Sequence, residues 1–253
     1  MTRHLRLVWT LLASLAVAAC SFSPAQDPEA TAARMAEINL QLGVAYMQEG
    51  KYPFAVERLR KAVKADPNSV DAHLYLAVTY DYLGENDAAD IHFQEALRVA
   101  PDHASTHTNY GSFLCRLDRV PEAEQHFQQA ASTRGYDSPE VAYTNAGLCM
   151  SRHAAPDKAD EYLRQALEAR PEYPPALLAL AELSYAQGRY PAARTYLQRY
   201  HDVAPTNAQT LALAARIERQ LGDRAAAAKY TQILRTRYPN APEAMENKDP
   251  PAR

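Results

Sequence analysis

Residues 36–67 read AEINLQLGVAYMQEGKYPFAVERLRKAVKADP. Gly43 lies midway along the first half of this stretch, and Ala55 lies in the second half. Small residues at such positions allow two helices to approach closely, while Tyr46 and Leu59 fill the space between them. Together with the closing Pro67, this pattern predicts a pair of packed helices.

The same pattern recurs along the chain. Prolines close successive units at intervals of 34, 70, 34 and 34 residues, at Pro67, Pro101, Pro171, Pro205 and Pro239. A period of about 34 residues is typical of the tetratricopeptide repeat (TPR). We therefore predict an all-α solenoid of six TPR helix pairs within 34–239, wound as a right-handed superhelix. Its repeats are 36–69, 70–103, 104–139, 140–173, 174–207 and 208–239.

Two of the units depart from the regular pattern. The third has no closing proline, and we predict that 132–139, which contains Gly135 and Pro139, forms a loop that holds two extra residues. The sixth has Glu218 and Thr231 where bulky apolar residues are usual. This departure is typical of a terminal cap with a more polar outer face.

The composition excludes several functional classes. A formal net charge of −3, without clusters of Lys or Arg, argues against binding to nucleic acid. No nucleophile elbow, phosphate-binding loop or dinucleotide motif occurs, so we predict no enzymatic activity, cofactor or small-molecule substrate. His103 and His107 lie four residues apart but lack a third ligand, and we predict no metal site. We expect His73 and His107, which occupy equivalent positions in neighbouring repeats, to pack against an adjacent helix.

The N-terminus has the features of a secretion signal. Basic residues precede an apolar run from Leu7 to Ala19, which is too short to span a membrane comfortably. The following Val17-Ala18-Ala19-Cys20 resembles the lipobox of bacterial lipoproteins, which implies a signal peptide at 1–19 and a lipid on Cys20. Ser21, rather than an inner-membrane retention Asp, points to the periplasmic face of the outer membrane. The alternative is an ordinary signal peptide with an incidental cysteine. We predict a linker at 20–33 and a disordered tail at 240–253.

Two further cysteines lie on the first helices of neighbouring repeats. Cys115 and Cys149 are close enough for a disulfide across the repeat boundary if their side chains point toward each other. Two buried free thiols are the alternative, because cysteine is also a common small core residue.

TPR arrays bind their partners on a concave surface lined by the first helices. In the first two repeats this surface is predicted to be an apolar strip flanked by Glu37, Asp71 and Asp81, suited to an amphipathic or extended peptide. The strip consists of Leu40, Val44, Met47, Leu74, Val78 and Tyr82. In the fifth and sixth repeats the equivalent positions are more polar, with Glu182, Tyr185, Arg216 and Arg219. The alternative is that the curved array, or the linker, buries part of the apolar strip.

Two blocks are more specific than a general TPR: Asn109-Tyr110-Gly111-Ser112-Phe113-Leu114-Cys115 and Asn145-Ala146-Gly147-Leu148-Cys149. With the lipobox and six repeats, they resemble the type IV pilus biogenesis and stability lipoproteins called PilW or PilF. The resemblance implies a pilotin, which helps the pilus secretin reach the outer membrane and form its multimer. One alternative is a TPR lipoprotein that serves another envelope assembly, such as a peptidoglycan enzyme or an outer-membrane insertion machine. The other is an enzyme with a site improvised on the array, which the lack of a convergent cluster of titratable residues argues against.

Overall fold

The computed structural model describes residues 28–246, and all regular secondary structure in this range is α-helical. Twelve helices form six antiparallel pairs, and a short thirteenth helix follows. The first helices of the pairs are α1 (Pro28–Gln48), α3 (Val70–Tyr82), α5 (Ala104–Arg116), α7 (Pro139–Arg152), α9 (Pro174–Ala186) and α11 (Ala208–Leu221). The second helices are α2 (Tyr52–Ala65), α4 (Asn86–Val99), α6 (Val120–Ser132), α8 (Pro156–Ala169), α10 (Tyr190–Val203) and α12 (Arg224–Arg237). The last helix is α13 (Pro242–Glu246). The chain is thus the six-pair TPR solenoid that the proline spacing predicts.

The turn inside each helix pair contains one residue with left-handed backbone geometry. Four of these residues are glycines, including Gly188 with φ +72°, and the other two are Asp118 with φ +59° and Ala154 with φ +55°. Glycine adopts this geometry at no steric cost, whereas alanine is strained there. The fourth repeat, with Ala154, therefore makes the same turn less favourably, whereas the aspartate of the third repeat tolerates this geometry better.

Close approach within a pair depends on a missing side chain. At Gly111 an added Cβ atom would lie 2.8 Å from Cε1 of Phe127 and 3.1 Å from the carbonyl oxygen of Ala123. Phe127 is buried, so its ring has little room to move. This is the physical reason for a small residue midway along the first helix.

Successive repeats are also joined by hydrogen bonds to carboxylates on the second helices. The hydroxyl of Tyr110 donates a 2.7 Å hydrogen bond to Asp90 of the preceding repeat, and Tyr162 donates a 2.8 Å bond to Glu124. Burial and the adjacent carboxylate raise the pKa of Tyr162 to about 12, so its hydroxyl remains a donor at neutral pH. These bonds fix the second, third and fourth pairs on one another.

The two ends of the array differ from the prediction. Helix α1 begins at Pro28, inside the predicted linker at 20–33, because proline is favourable at the first position of a helix. Helix α13 lies inside the predicted disordered tail at 240–253, and its Ala244 is buried beside Leu234 of α12. For 28–33 and 242–246 the predictions of linker and disorder are wrong. The predicted signal peptide, Cys20 and the rest of the tail lie outside the described residues.

The polar residues of the sixth repeat are not on an outer face. Glu218 is buried and accepts a 2.9 Å bond from Nε of Arg194 in the fifth repeat, while Thr231 is buried and bonds within its own helix. The prediction that they mark a polar outer face is therefore wrong. They lie inside the array, where Glu218 links the last two repeats.

Candidate functional site

The first helices form the inner side of the solenoid. Consecutive first helices contact one another from α1 to α9, whereas within residues 28–246 the backbones of neighbouring second helices lie farther apart and are joined by side chains, as in the bond of Tyr162 to Glu124. The stack therefore curves with its first helices inside. We call the side formed by α1, α3, α5 and α7 the inner surface.

The first repeat contributes apolar side chains to this surface. Leu40, Val44 and Met47 are half-buried along α1. Leu40 and Met47 also pack against the buried core of the first two repeats, so only part of each side chain is accessible. The alternative of partial self-burial thus applies to this part of the strip.

The second repeat divides the predicted strip further. Val78 is half-buried, whereas Leu74 is only 4% exposed and belongs to the core beside Phe93. The assignment of Leu74 to a binding surface is therefore wrong, because the neighbouring helices cover it. Tyr82 is 63% exposed, and its ring stacks on Tyr52 at a centroid distance of 4.9 Å. Stacking holds this large amphipathic side chain at the rim without burying it.

In the third and fourth repeats the inner surface becomes polar. Arg116 at the end of α5 forms an ion pair with Asp81 of α3, next to Tyr82. Asn145 of α7 donates a long hydrogen bond of 3.4 Å to the hydroxyl of Ser112. The apolar part and the polar part of the surface are therefore contiguous.

A disulfide crosses the boundary between these two repeats. The Sγ atoms of Cys115 and Cys149 lie 2.05 Å apart, and the Cα atoms are separated by 6.0 Å. Both cysteines are almost fully buried, so the bond links the inner helices α5 and α7 from within the core. The structure thus contains a disulfide rather than two buried free thiols.

Two pairs of histidines stand in equivalent places in the second and third repeats. Nδ1 of His73 lies 3.0 Å from Nδ1 of His92, and the corresponding distance from His107 to His126 is 2.7 Å. Burial, assisted by the neighbouring histidine, lowers the pKa of both His92 and His126 to about 4. These pairs join the first and second helices of one repeat. Sequence reasoning missed His92 and His126, although they repeat 34 residues apart just as their partners do.

His103 and His107, the two histidines four residues apart, bond to different groups. His103 precedes α5 and contacts the hydroxyl of Thr106 at 2.7 Å. Within the described range, one group of three possible metal ligands occurs, formed by Cys115, Cys149 and His153. Both of its sulfur atoms are committed to the disulfide.

In the last two repeats, side chains at the inner positions contact one another within the array. The guanidinium of Arg216 lies 5.3 Å from the ring centre of Tyr185, and Gln209 donates a 2.7 Å hydrogen bond to Glu182. These side chains satisfy one another, which makes the first four repeats the better candidate for a binding surface.

Within residues 28–246, no helix is both long enough and apolar enough to cross a bilayer.

Sequence profiles of the tetratricopeptide repeat match residues 70–103, 102–172, 153–217 and 211–241, and a TPR-repeat profile matches 36–81. The type IV pilus assembly protein PilF of Pseudomonas aeruginosa is 32% identical over 244 residues, which cover 95% of this chain and 97% of PilF.

Solved structures show the same similarity. The crystal structure of PilW, a widely conserved type IV pilus biogenesis factor, superposes with a TM-score of 0.75 at 34% identity and covers 83% of this chain and 97% of PilW. The structure of P. aeruginosa PilF gives a TM-score of 0.73 at 32% identity and covers 85% of this chain and 97% of PilF. A more distant similarity, 26% over 220 residues, relates 73% of the chain to 26% of the human protein O-mannosyl-transferase TMTC2.

Proposed function

This chain belongs to the TPR family of type IV pilus biogenesis proteins that includes PilF and PilW, and from that membership we propose that it is a pilotin. In this proposal it is an outer-membrane lipoprotein that binds the pilus secretin and promotes assembly of the secretin multimer. It acts by binding a protein segment and catalyses no reaction.

The observation that carries the proposal is the extent of the similarity. It spans 95% of the chain and nearly all of PilF, so it includes every repeat rather than one common TPR unit. The match to TMTC2, in contrast, involves about a quarter of that transferase, which is what a shared repeat alone produces.

The inner surface supports a binding role. Val44, Met47 and Val78 offer partly accessible apolar area, and Tyr82 at the rim offers an exposed aromatic ring. Aromatic residues are common among the side chains that dominate protein-protein affinity. An extended or amphipathic segment of the secretin could lie along these helices and bury this area.

The proposed anchor gives the binding its effect at the membrane. We place the lipid on Cys20, eight residues before the start of α1, and the array on the periplasmic face of the outer membrane. A tethered binding surface raises the effective concentration of its partner near the tether, to the millimolar range for short flexible links. The secretin would therefore collect where it has to assemble.

The proposal is tested by deleting the gene in its own host and assaying the secretin multimer by gel electrophoresis of outer-membrane fractions. Loss of the multimer, restored by the wild-type chain, is the expected result. An unchanged multimer with normal pili would reject the secretin as partner and favour another envelope client.

Complementing the deletion with single variants tests the lipid anchor and the binding surface separately. Cys20→Ala should leave the protein in the periplasmic soluble fraction, and continued outer-membrane fractionation would contradict the lipid anchor. Tyr82→Ala should reduce multimer assembly, whereas Ile91→Ala is the matched control, because Ile91 is 58% exposed on the second helix α4. Equal complementation by both variants would move the binding surface away from Tyr82.

A further inference from the structure

A small cleft on the inner surface lies between α5 and α7, one repeat beyond Tyr82. Its volume is about 120 Å³, and its floor includes the Cys115–Cys149 disulfide. Its lining includes four polar residues and the exposed Leu148. The polar residues are Ser112, Arg116, Asn145 and Arg152. We call it the Arg152 cleft.

The charge of the cleft is positive. Two guanidinium groups line it and no carboxylate does. Arg116 is already paired with Asp81. Arg152 is exposed, and its side chain makes no hydrogen bond or ion pair with any other residue of the range 28–246. Asp118, in the turn after α5, contacts His153 rather than Arg152.

The position of Arg152 in the last turn of α7 accounts for part of this arrangement. A cation there is favoured by the helix dipole. The dipole does not explain the other groups of the cleft. Asn145 uses one amide proton for the long bond to Ser112 and keeps a second, and Leu148 beside it is 41% exposed.

We propose that the Arg152 cleft is a subsite for a carboxylate, supplied by an Asp or Glu side chain of the protein segment that lies along the inner surface. The guanidinium of Arg152 pairs with the carboxylate in a fork of two hydrogen bonds, and Leu148 contacts the apolar stem of the same side chain. This inference rests on the proposed binding function and specifies the chemistry of the partner.

The repeat geometry sets the spacing that the partner must have. Val78 and Leu148 stand at equivalent positions two repeats apart. Neighbouring packed helices are about 8–10 Å apart, so the two positions are separated by about 16–20 Å. An extended chain advances about 3.3 Å per residue. The partner should therefore carry its acidic residue about five or six positions from its apolar anchor.

The disulfide makes the cleft rigid. Because Cys115 and Cys149 belong to opposite walls and are covalently joined, the walls keep their separation when the cleft is empty. A preformed site loses less conformational entropy on binding than one that has to be assembled.

The test is a selection of random twelve-residue peptides by the purified full-length chain in detergent. The wild type should enrich peptides that combine an apolar cluster with Asp or Glu about five or six positions away. Arg152→Glu should lose the acidic preference. Arg134→Glu is the matched control, because Arg134 is exposed in the loop at the opposite end of α7.

An enriched peptide then allows a double-mutant cycle between its acidic residue and Arg152. Replacing its Glu by Gln should weaken binding at least tenfold on the wild type and less than twofold on Arg152→Gln, with circular dichroism showing that the variants remain folded. Absence of any enrichment, enrichment without acidic residues, or equal losses on both proteins would overturn the subsite. The secretin assay is independent of this selection, so the subsite and the pilotin proposal can fail separately.

Discussion

Removing the disulfide should destabilise the array at its centre. Cys115 and Cys149 are separated by 34 residues, and constraining a loop of that length in the unfolded chain corresponds to about 3.8 kcal/mol in the chain-entropy estimate. Measured effects of removing a native disulfide are typically about 2–4 kcal/mol. We therefore expect the free energy of unfolding to fall by that amount when the bond is broken.

The assay compares the oxidised and the reduced wild-type chain by urea unfolding, followed by far-ultraviolet circular dichroism. Reduction keeps both sulfur atoms, so it removes the cross-link without opening a cavity. The double variant Cys115→Ala with Cys149→Ala should lose somewhat more, because it also removes two buried sulfur atoms. A thiol assay should find two more thiols after reduction than before.

The position of the bond adds a second expectation. In a repeat array each unit is stabilised by its neighbours, so weakening one boundary reduces cooperativity along the whole stack. The reduced chain should unfold over a broader range of urea, with repeats on the two sides of the boundary separating. Equal midpoints and equal slopes for the oxidised and reduced chains would refute this reasoning.

Three further predictions concern the turns, the histidines and the last repeat. Ala154→Gly should raise the free energy of unfolding by roughly 0.5 kcal/mol, and Gly188→Ala should lower it by about 1 kcal/mol. Both residues have positive φ, a geometry that favours glycine over alanine. Melting temperatures that shift in the opposite directions would contradict this. His92 and His126 titrate near pH 4 when folded but near 6.5 when unfolded, so the unfolded chain binds more protons between these values. Stability should therefore fall as the pH drops from 6.5 towards 4, and the urea midpoints of His92→Gln with His126→Gln should depend less on pH in that window. Glu218→Ala should cost about 0.5–1.5 kcal/mol, since it removes a hydrogen bond between the last two repeats while water can still solvate the half-exposed Arg194. The sixth repeat can be labelled with a tryptophan, and an unchanged urea midpoint of its unfolding would argue against that contribution.

The repeat architecture could be predicted from the sequence because its signals are local and recur. Helices α3 and α5 begin at Val70 and Ala104, where the predicted repeats begin. The ends of the array were harder to predict. Pro28 suggested a linker but instead occupies the favourable first turn of a helix, and α13 is stabilised by packing of Ala244 that no local pattern shows.

The binding surface could be predicted only in outline. Repeat position places Leu74 and Tyr82 on the same helix, but it does not reveal that one is buried and the other 63% exposed. That difference depends on how neighbouring helices overlap. The partners of His73 and His107 depend likewise on contacts between helices, as does the ion pair that connects Arg116 to Asp81.

The disulfide also determines how the chain would carry a mechanical load. When the two ends of the chain are pulled apart, tension passes directly from Cys115 to Cys149, so helix α6 and the loop after it bear none. The 34 residues spanned by the bond cannot extend, which shortens the fully stretched chain by about 110–120 Å. Force measured on single molecules should thus show two extensible segments, and reduction should release the missing length as a separate step.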